Sequence, residues 1–277
     1  MNIDQMFTDL SEYSVDENNS EYGKIKIPMV IMQTWKTNTV PEHWKTSPES
    51  IKNLMPDWEY VLMTDEDNRK FIQDYFPQYL TTFDEFEYGI QRADFIRYAW
   101  LYINGGLYLD LDYELVEPLD ELFYVDREIY VVPSGNFGDF YTNAIMASKP
   151  GAKVWLRCLE LASQGYSWWH FGKHLKVMGT TGPLMFTEAV NEVDYHKMHI
   201  LNSKLLTPCS VCDKKPCQKV GGYMRTLEGS SWVAADTQLY IYCKCHWREF
   251  AILIGIIVMI ILLILLLCAF KDIEKRR

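Results

Sequence analysis

The chain has 277 residues, of which 48% are apolar and 14% aromatic, enough for a sizeable core in one large domain or two small ones. Its formal net charge of −10 argues against nonspecific nucleic-acid binding, which runs on Lys and Arg neutralising phosphates. That balance still admits a phosphate-bearing ligand, provided that a divalent metal supplies positive charge locally.

Residues 1–24 read as a flexible acidic lead-in; the first 23 hold six acidic residues and no Lys or Arg. They lack the basic start and apolar run of a secretory signal. Residues 25–33 (IKIPMVIMQ) are a short apolar run ending at a polar cluster, the pattern of a buried strand. Residues 58–63 repeat that pattern, and Thr64, Asp65 and Asp67 then predict the capped start of a helix through Phe71, Ile72 and Tyr75. Residues 85–104 predict a longer helix, with Ile90, Ala93, Ile96, Trp100, Leu101 and Ile103 at near-helical spacing and Gly105-Gly106 to close it. Residues 107–112 (LYLDLD) alternate as a strand, 128–133 and 143–147 predict two more, and 154–162 an amphipathic helix. Strands alternating with helices indicate an α/β sandwich on a largely parallel sheet, in a domain spanning 25–247.

The last segments differ in kind. Residues 250–270 are uncharged and nearly all large aliphatics, and at roughly 1.5 Å per residue they span about 30 Å, the thickness of a bilayer's hydrocarbon core. A transmembrane helix with a basic tail, 271–277, is therefore expected. Lys271, Lys275, Arg276 and Arg277 after it, against Lys244 and Arg248 before it, favour a cytoplasmic tail. A chain without an N-terminal signal would instead leave its long N-terminal domain in the cytosol, so the two rules disagree on sidedness. Of seven cysteines, Cys268 lies in the apolar span and Cys158 at an apolar helix position. Cys209, Cys212, Cys217, Cys243 and Cys245 cluster with spacing that suits two disulfides, a structural zinc or free thiols.

The chemistry concentrates at Asp110 and Asp112. Side chains two apart on a strand share a face, so the two carboxylates point the same way, about 7 Å apart. They would repel unless a cation lies between them, and a hard divalent ion with oxygen ligands keeps open positions for substrate phosphates. Asp94 and Arg97 lie at i, i+3 on the preceding helix and share a face. As a surface ion pair they would contribute a few tenths of a kcal/mol; as site residues, the Asp accepts from sugar hydroxyls and the Arg donates to sugar or diphosphate oxygens. Tyr108, on the face of Asp110 and Asp112, could cover a ligand beside them.

The stretch ADFIRYAWLYINGGLYLDLD, 93–112, resembles the signature of the DXD sugar-binding family of glycosyltransferases (family 32). That family includes fungal initiating α-1,6-mannosyltransferases and inositol-phosphoceramide mannosyltransferases, with clostridial glucosylating toxins as distant relatives. IPMVIMQTWKT and YVLMTDEDNRKFI before it, and NAIMASKPGAKVW, TTGPLMF and GSSW after it, agree with the family in order and character, so the resemblance covers roughly 25–240. It implies a GT-A type α/β fold and retaining transfer of a hexose, above all mannose, from GDP-mannose or a UDP-hexose. The implied acceptor is a glycan, glycolipid or sphingolipid, and the implied cofactor Mn²⁺ or Mg²⁺. It implies that Trp35 stacks on the base, Asp94 and Arg97 grip the donor sugar, Asp110 reaches the ribose and a metal-bound water, and Asp112 binds the metal. Glu228, Ser231 and Trp232 resemble the loop that completes the metal and diphosphate site. The 181–183 loop (Thr181, Gly182, Pro183) belongs to the acceptor side or merely starts a helix.

Three departures stand out: Met32 and Val233 occupy positions where relatives often have His, and the anchor is C-terminal where fungal relatives carry it at the N-terminus. An endomembrane location, Golgi or ER, follows from the resemblance. A catalytically silent sugar-binding or scaffold protein of the same fold is the competing reading, but it has no physical need for Asp94, Arg97, Asp110 and Asp112 together. A metal-dependent phosphohydrolase would call for further His or Asp ligands, and the six histidines form no such constellation.

Overall fold

The computed structural model describes residues 24–134, 140–165, 172–213, 217, 219–229 and 233–275, with side chains to 266. Residues 1–23 of the acidic lead-in and residues 276–277 of the basic tail lie outside the described residues, as do Ser231 and Trp232. In chain order the elements are β1 (Val30–Thr34), α1 (Thr46–Leu54), β2 (Glu59–Met63), α2 (Asp65–Tyr75), α3 (Leu80–Glu85), α4 (Gly89–Asn104), β3 (Gly106–Leu109), β4 (Tyr113–Leu115) and β5 (Ile129–Pro133). There follow β6 (Tyr141–Ser148), α5 (Lys153–Ser163), α6 (Gly172–Thr180), α7 (Pro183–Asn191), β7 (Met198–Ile200), α8 (Ser203–Leu206), β8 (Met224–Thr226), α9 (Ala235–Cys245) and α10 (Trp247–Lys275).

Six strands form one sheet in the order β2-β1-β3-β6-β5-β7. β1 pairs in parallel with both β2 and β3, and β5 with β7, while β6 runs antiparallel to its two neighbours. The sheet is thus mostly parallel, as the alternating pattern predicts. Side-chain alternation splits the core in two. Met32, Tyr108, Ile129, Val131 and Met146 pack with Phe95, Trp100, Trp155 and Phe186 from α4, α5 and α7. Ile31, Leu107, Leu109, Tyr130 and Val132 pack on the other side with Ile51 of α1, Met55 just after it, and Leu115, Leu206 and Met224. A sheet buried on both faces explains why β3 and β5 are apolar almost throughout.

Local signals placed several elements well. Thr64 Oγ1 accepts from the Asp67 amide at 3.2 Å while the Thr64 amide donates to Asp67 Oδ2 at 2.9 Å, a reciprocal cap on α2. Gly105, at φ +66, closes α4. Gly106, at φ +80, opens β3 where a Cβ would lie 2.5 Å from the Val30 carbonyl oxygen, so the β1–β3 approach needs glycine.

Other expectations change. The helix expected over 85–104 begins at Gly89, after the separate α3. The strand expected to reach 112 ends at Leu109; Asp110 and Asp112 occupy the turn into β4, which pairs with β8 in a separate two-stranded sheet. Strand alternation therefore does not orient the two aspartates. The cysteines take the disulfide alternative: Cys209 pairs with Cys217 and Cys212 with Cys245, leaving Cys158 buried and Cys243 exposed as free thiols. The apolar segment forms a helix long and apolar enough to cross a membrane over Trp247–Leu266, with none of it buried against the domain.

Candidate active site

The ends of β1, β2 and β3 and the start of α4 converge on a cavity of about 320 Å³. Parallel pairing sets β1 and β2 in register, with Thr34 opposite Met63, so that Trp35, Lys36 and Asp65 emerge side by side at the carboxyl ends of their strands. Ligands of open α/β sheets bind at this end. Arg97, Tyr108, Asp110 and Asp112 line the same cavity, as do Trp44, Tyr88 and Lys173.

Arg97 is the centre of charge. Its guanidinium is almost wholly buried and is held on every side: Nε donates to the Ala93 carbonyl at 3.1 Å, Nη1 to the Asn143 carbonyl at 2.7 Å. It pairs with Asp94 at 3.1 Å and Asp110 at 3.2 Å, and it stacks 4.5 Å from the Tyr108 ring centroid. Asp94, at 3% exposure, is equally buried and does not line the cavity. Its Oδ1 also accepts from Asn143 Nδ2 at 3.0 Å and its Oδ2 from Thr181 Oγ1 at 2.9 Å. The Asp94–Arg97 pair is therefore buried, which rules out the surface ion pair that spacing alone allowed. Breaking such a pair leaves an uncompensated charge at a cost of about 3–5 kcal/mol.

Asp110 keeps 29% of its side chain exposed. Tyr108 Oη donates to its Oδ1 at 2.5 Å, and its carbonyl accepts from Gln33 Nε2 at 3.3 Å. Gln33 in turn bonds Ser47 at 2.9 Å and Tyr60 at 2.9 Å, tying the turn to β1, α1 and β2. Asp112 is fixed through its backbone, its carbonyl accepting from the Leu227 amide at 2.7 Å. Its Oδ1 is buried without a hydrogen-bond partner.

Asp94 and Asp110 pair with one guanidinium and Asp112 adds a third carboxylate beside Asp110, an excess of negative charge. Burial raises the Asp94 carboxyl to about 7 against the opposing pull of Arg97. Burial, reinforced by the charge of Asp110, raises Asp112 to about 7 as well. Asp110 is raised by burial, with Arg97 and the Tyr108 hydroxyl opposing. A divalent cation would relieve both the excess charge and the unsatisfied Asp112 oxygen, so the donor set fits Mn²⁺ or Mg²⁺. Among the described residues no third His, Cys, Asp or Glu joins the pair, which leaves ligand positions for water and phosphate oxygens.

The remaining expected residues are arranged as follows. Trp35 is half-buried at the cavity, edge-on to Trp44 at 5.2 Å. Glu228 is exposed and outside the cavity lining; its carbonyl accepts from the Trp44 indole at 2.9 Å. Thr181 reaches back to Asp94, while Gly182 caps α7 and Pro183 begins it.

A sequence model of the glycosyltransferase sugar-binding region containing the DXD motif matches residues 41–127, the stretch that holds Asp94 through Asp112. Over 256 residues the chain is 32% identical to inositol phosphoceramide mannosyltransferase 3 of Schizosaccharomyces pombe, covering 89% of this chain and 67% of that protein. The chain belongs to this glycosyltransferase family. It is also 37% identical over 161 residues to the mannosyl phosphorylinositol ceramide synthase SUR1 of Saccharomyces cerevisiae, 58% of this chain and 41% of that one. It thus spans less than half the length of that relative. Among solved structures it is similar to the PaToxG glycosyltransferase over 62% of this chain and 72% of that one, at 21% identity and a TM-score of 0.47.

The glycosyltransferase's supporting residues were not singled out by spacing alone. Gln33, Asn143 and Thr181 lie inside segments that carry the family resemblance. Their partners lie 77, 49 and 87 residues away in the chain, and no local pattern reports such contacts. Trp44, Tyr88 and Lys173 sit outside those segments.

Proposed function

We propose that the protein transfers a hexose, with mannose the first choice, from GDP-mannose or a UDP-hexose to a membrane-held sphingolipid, glycolipid or glycan acceptor, retaining anomeric configuration. The observation that carries this reading is the unpartnered Oδ1 of Asp112 beside Asp110, in a cavity that Arg97 and Tyr108 also line. The relatives named as an inositol phosphoceramide mannosyltransferase and a mannosyl phosphorylinositol ceramide synthase support mannose and a sphingolipid.

Asp112 and Asp110 would hold the divalent ion, Asp110 also meeting the donor ribose. When bound, the ion supplies positive charge against the charge building on the departing diphosphate. Trp35 stacks on the base. Arg97 donates to donor oxygens, and Asp94 acts through it, fixing the guanidinium from behind the cavity wall together with Asn143 and Thr181. Glu228, Ser231 and Trp232, which follow β8 in the sequence, are proposed to complete the metal and diphosphate site. The bond from the anomeric carbon to the phosphate oxygen breaks with its electron pair leaving on the diphosphate. The acceptor oxygen forms the new bond on the same face, and its proton passes to the departing oxygen. No carboxylate nucleophile is needed.

The helix over Trp247–Leu266 would anchor the enzyme in an endomembrane. The two disulfides support an oxidising compartment for the domain, which agrees with a cytoplasmic basic tail. The test is incubation of the purified full chain in detergent with Mn²⁺, a panel of nucleotide sugars and inositol phosphoceramide. Nucleotide release and sugar transfer are followed for wild type and Asp112→Ala. Turnover that depends on Asp112 is expected; turnover of no donor, or an unaffected variant, would overturn the reading.

A further inference from the structure

One end of the cavity carries two charged side chains that the transfer chemistry does not use. Asp65 and Lys36 line the wall beside Trp35. The Asp65 amide meets the Lys36 carbonyl at 3.4 Å, and the Lys36 ammonium lies 5.5 Å from the Trp35 ring centroid. Neither side chain has a hydrogen bond or ion pair to another side chain among the described residues, and both are exposed. Asp65 stands in the first turn of α2, where an acid ordinarily complements the helix dipole. Here Asp67 already serves as the reciprocal cap and Glu66 adds a further charge to that turn, so the helix has no need of Asp65.

The geometry points to Asp65 and Lys36 as the pair that reads the edge of the nucleobase stacked on Trp35, and the base they fit is guanine. This rests on the nucleotide-sugar reading above. A carboxylate is an acceptor only and can take two parallel N–H donors; an ammonium is a donor only. Guanine presents the N1–H and the N2 amino group side by side, with the O6 acceptor next to them, a donor-donor-acceptor edge. Asp65 matches the two donors and Lys36 the O6. Uracil offers one N–H flanked by two carbonyl oxygens, which would face the carboxylate with like charge. Adenine and cytosine each offer one amino group beside a ring-nitrogen acceptor. A site built for hydrogen bonds to a ligand rejects analogues that leave its own groups unpaired, so the pair excludes bases as well as choosing one.

The experiment measures inhibition constants, or direct binding, of GDP, IDP and UDP to the full chain in micelles with Mn²⁺. IDP is GDP without the 2-amino group. Wild type should bind GDP roughly tenfold or more tighter than IDP and tighter still than UDP, in line with the loss of one charge-assisted bond. Asp65→Ala should weaken GDP and bring the GDP-to-IDP ratio close to one. Lys36→Ala should weaken GDP and IDP alike, because both keep O6. Melting temperature serves as the control for folding, and Asp65, exposed on the first turn, should tolerate the change. Wild type binding UDP as well as GDP, or Asp65→Ala keeping the wild-type GDP-to-IDP ratio, overturns the assignment while leaving glycosyl transfer intact. Binding of no nucleotide at all overturns the assignment together with the reading it rests on.

Discussion

Replacing Asp112 by Asn should have opposite effects on metal binding and on the stability of the metal-free protein. The carboxyl is raised to about 7 from an ordinary 3.8 by burial and by Asp110. That difference, about 3 pH units at 1.36 kcal/mol each, corresponds to ~4 kcal/mol. The sign follows from proton binding. The folded state holds the proton more tightly than the unfolded chain, so this contribution favours folding at acid pH and is lost as pH rises from ~4 through about 7. Asn mimics the protonated side chain and removes the penalty. In chelator at pH 8, Asp112→Asn should therefore melt roughly 10 °C above wild type, using about 2–4 °C per kcal/mol for a domain of this size. At pH 4 the two should coincide. Adding Mn²⁺ at pH 8 should raise the wild-type melting temperature by ligand linkage and leave the variant almost unmoved. Differential scanning fluorimetry of the full chain in detergent reads all of these conditions. A variant that melts lower than wild type at pH 8 in chelator, or that keeps the full response to Mn²⁺, would refute the placement of an unpaired, metal-seeking carboxylate at this position.

Three more outcomes can be checked. Asp94→Ala strips Arg97 of its buried carboxylate partner, leaves Thr181 Oγ1 without its acceptor and leaves Asn143 Nδ2 with only the Tyr98 hydroxyl; denaturant unfolding should show a loss of about 3–5 kcal/mol, whereas a loss under 1 kcal/mol would contradict the buried network. Trp35→Ala should raise the KM for the nucleotide sugar roughly tenfold to a hundredfold, given ~1–3 kcal/mol per stacked base, with a smaller change in kcat from steady-state kinetics. Cys212→Ser together with Cys245→Ser opens a cross-link spanning 33 residues, and thermal unfolding should show a loss of about 2–4 kcal/mol; reductant, which also opens Cys209–Cys217, should cost wild type at least as much.

The sequence by itself determined the features that depend on near neighbours. The Thr64–Asp67 cap, the glycine closure of α4 at Gly105 and the apolar helix after α9 are all written in residues a few places apart. The 93–112 block likewise held Asp94, Arg97, Tyr108, Asp110 and Asp112 together in a recognisable order. Tertiary structure decided the rest, because it depends on contacts between distant segments. The strand stops at Leu109 since β4 leaves to pair with β8, more than a hundred residues on; the aspartates share the cavity through that turn and through Gln33, not through strand alternation. Asp94, which the resemblance places on the donor sugar, lies buried off the cavity lining, with Thr181 and Asn143 folded onto it. Disulfide pairing was equally beyond spacing, since Cys212 finds Cys245 only once α9 packs on the domain. Near-neighbour patterns report the element a residue joins, but burial and charge balance are set by what the rest of the chain brings against it.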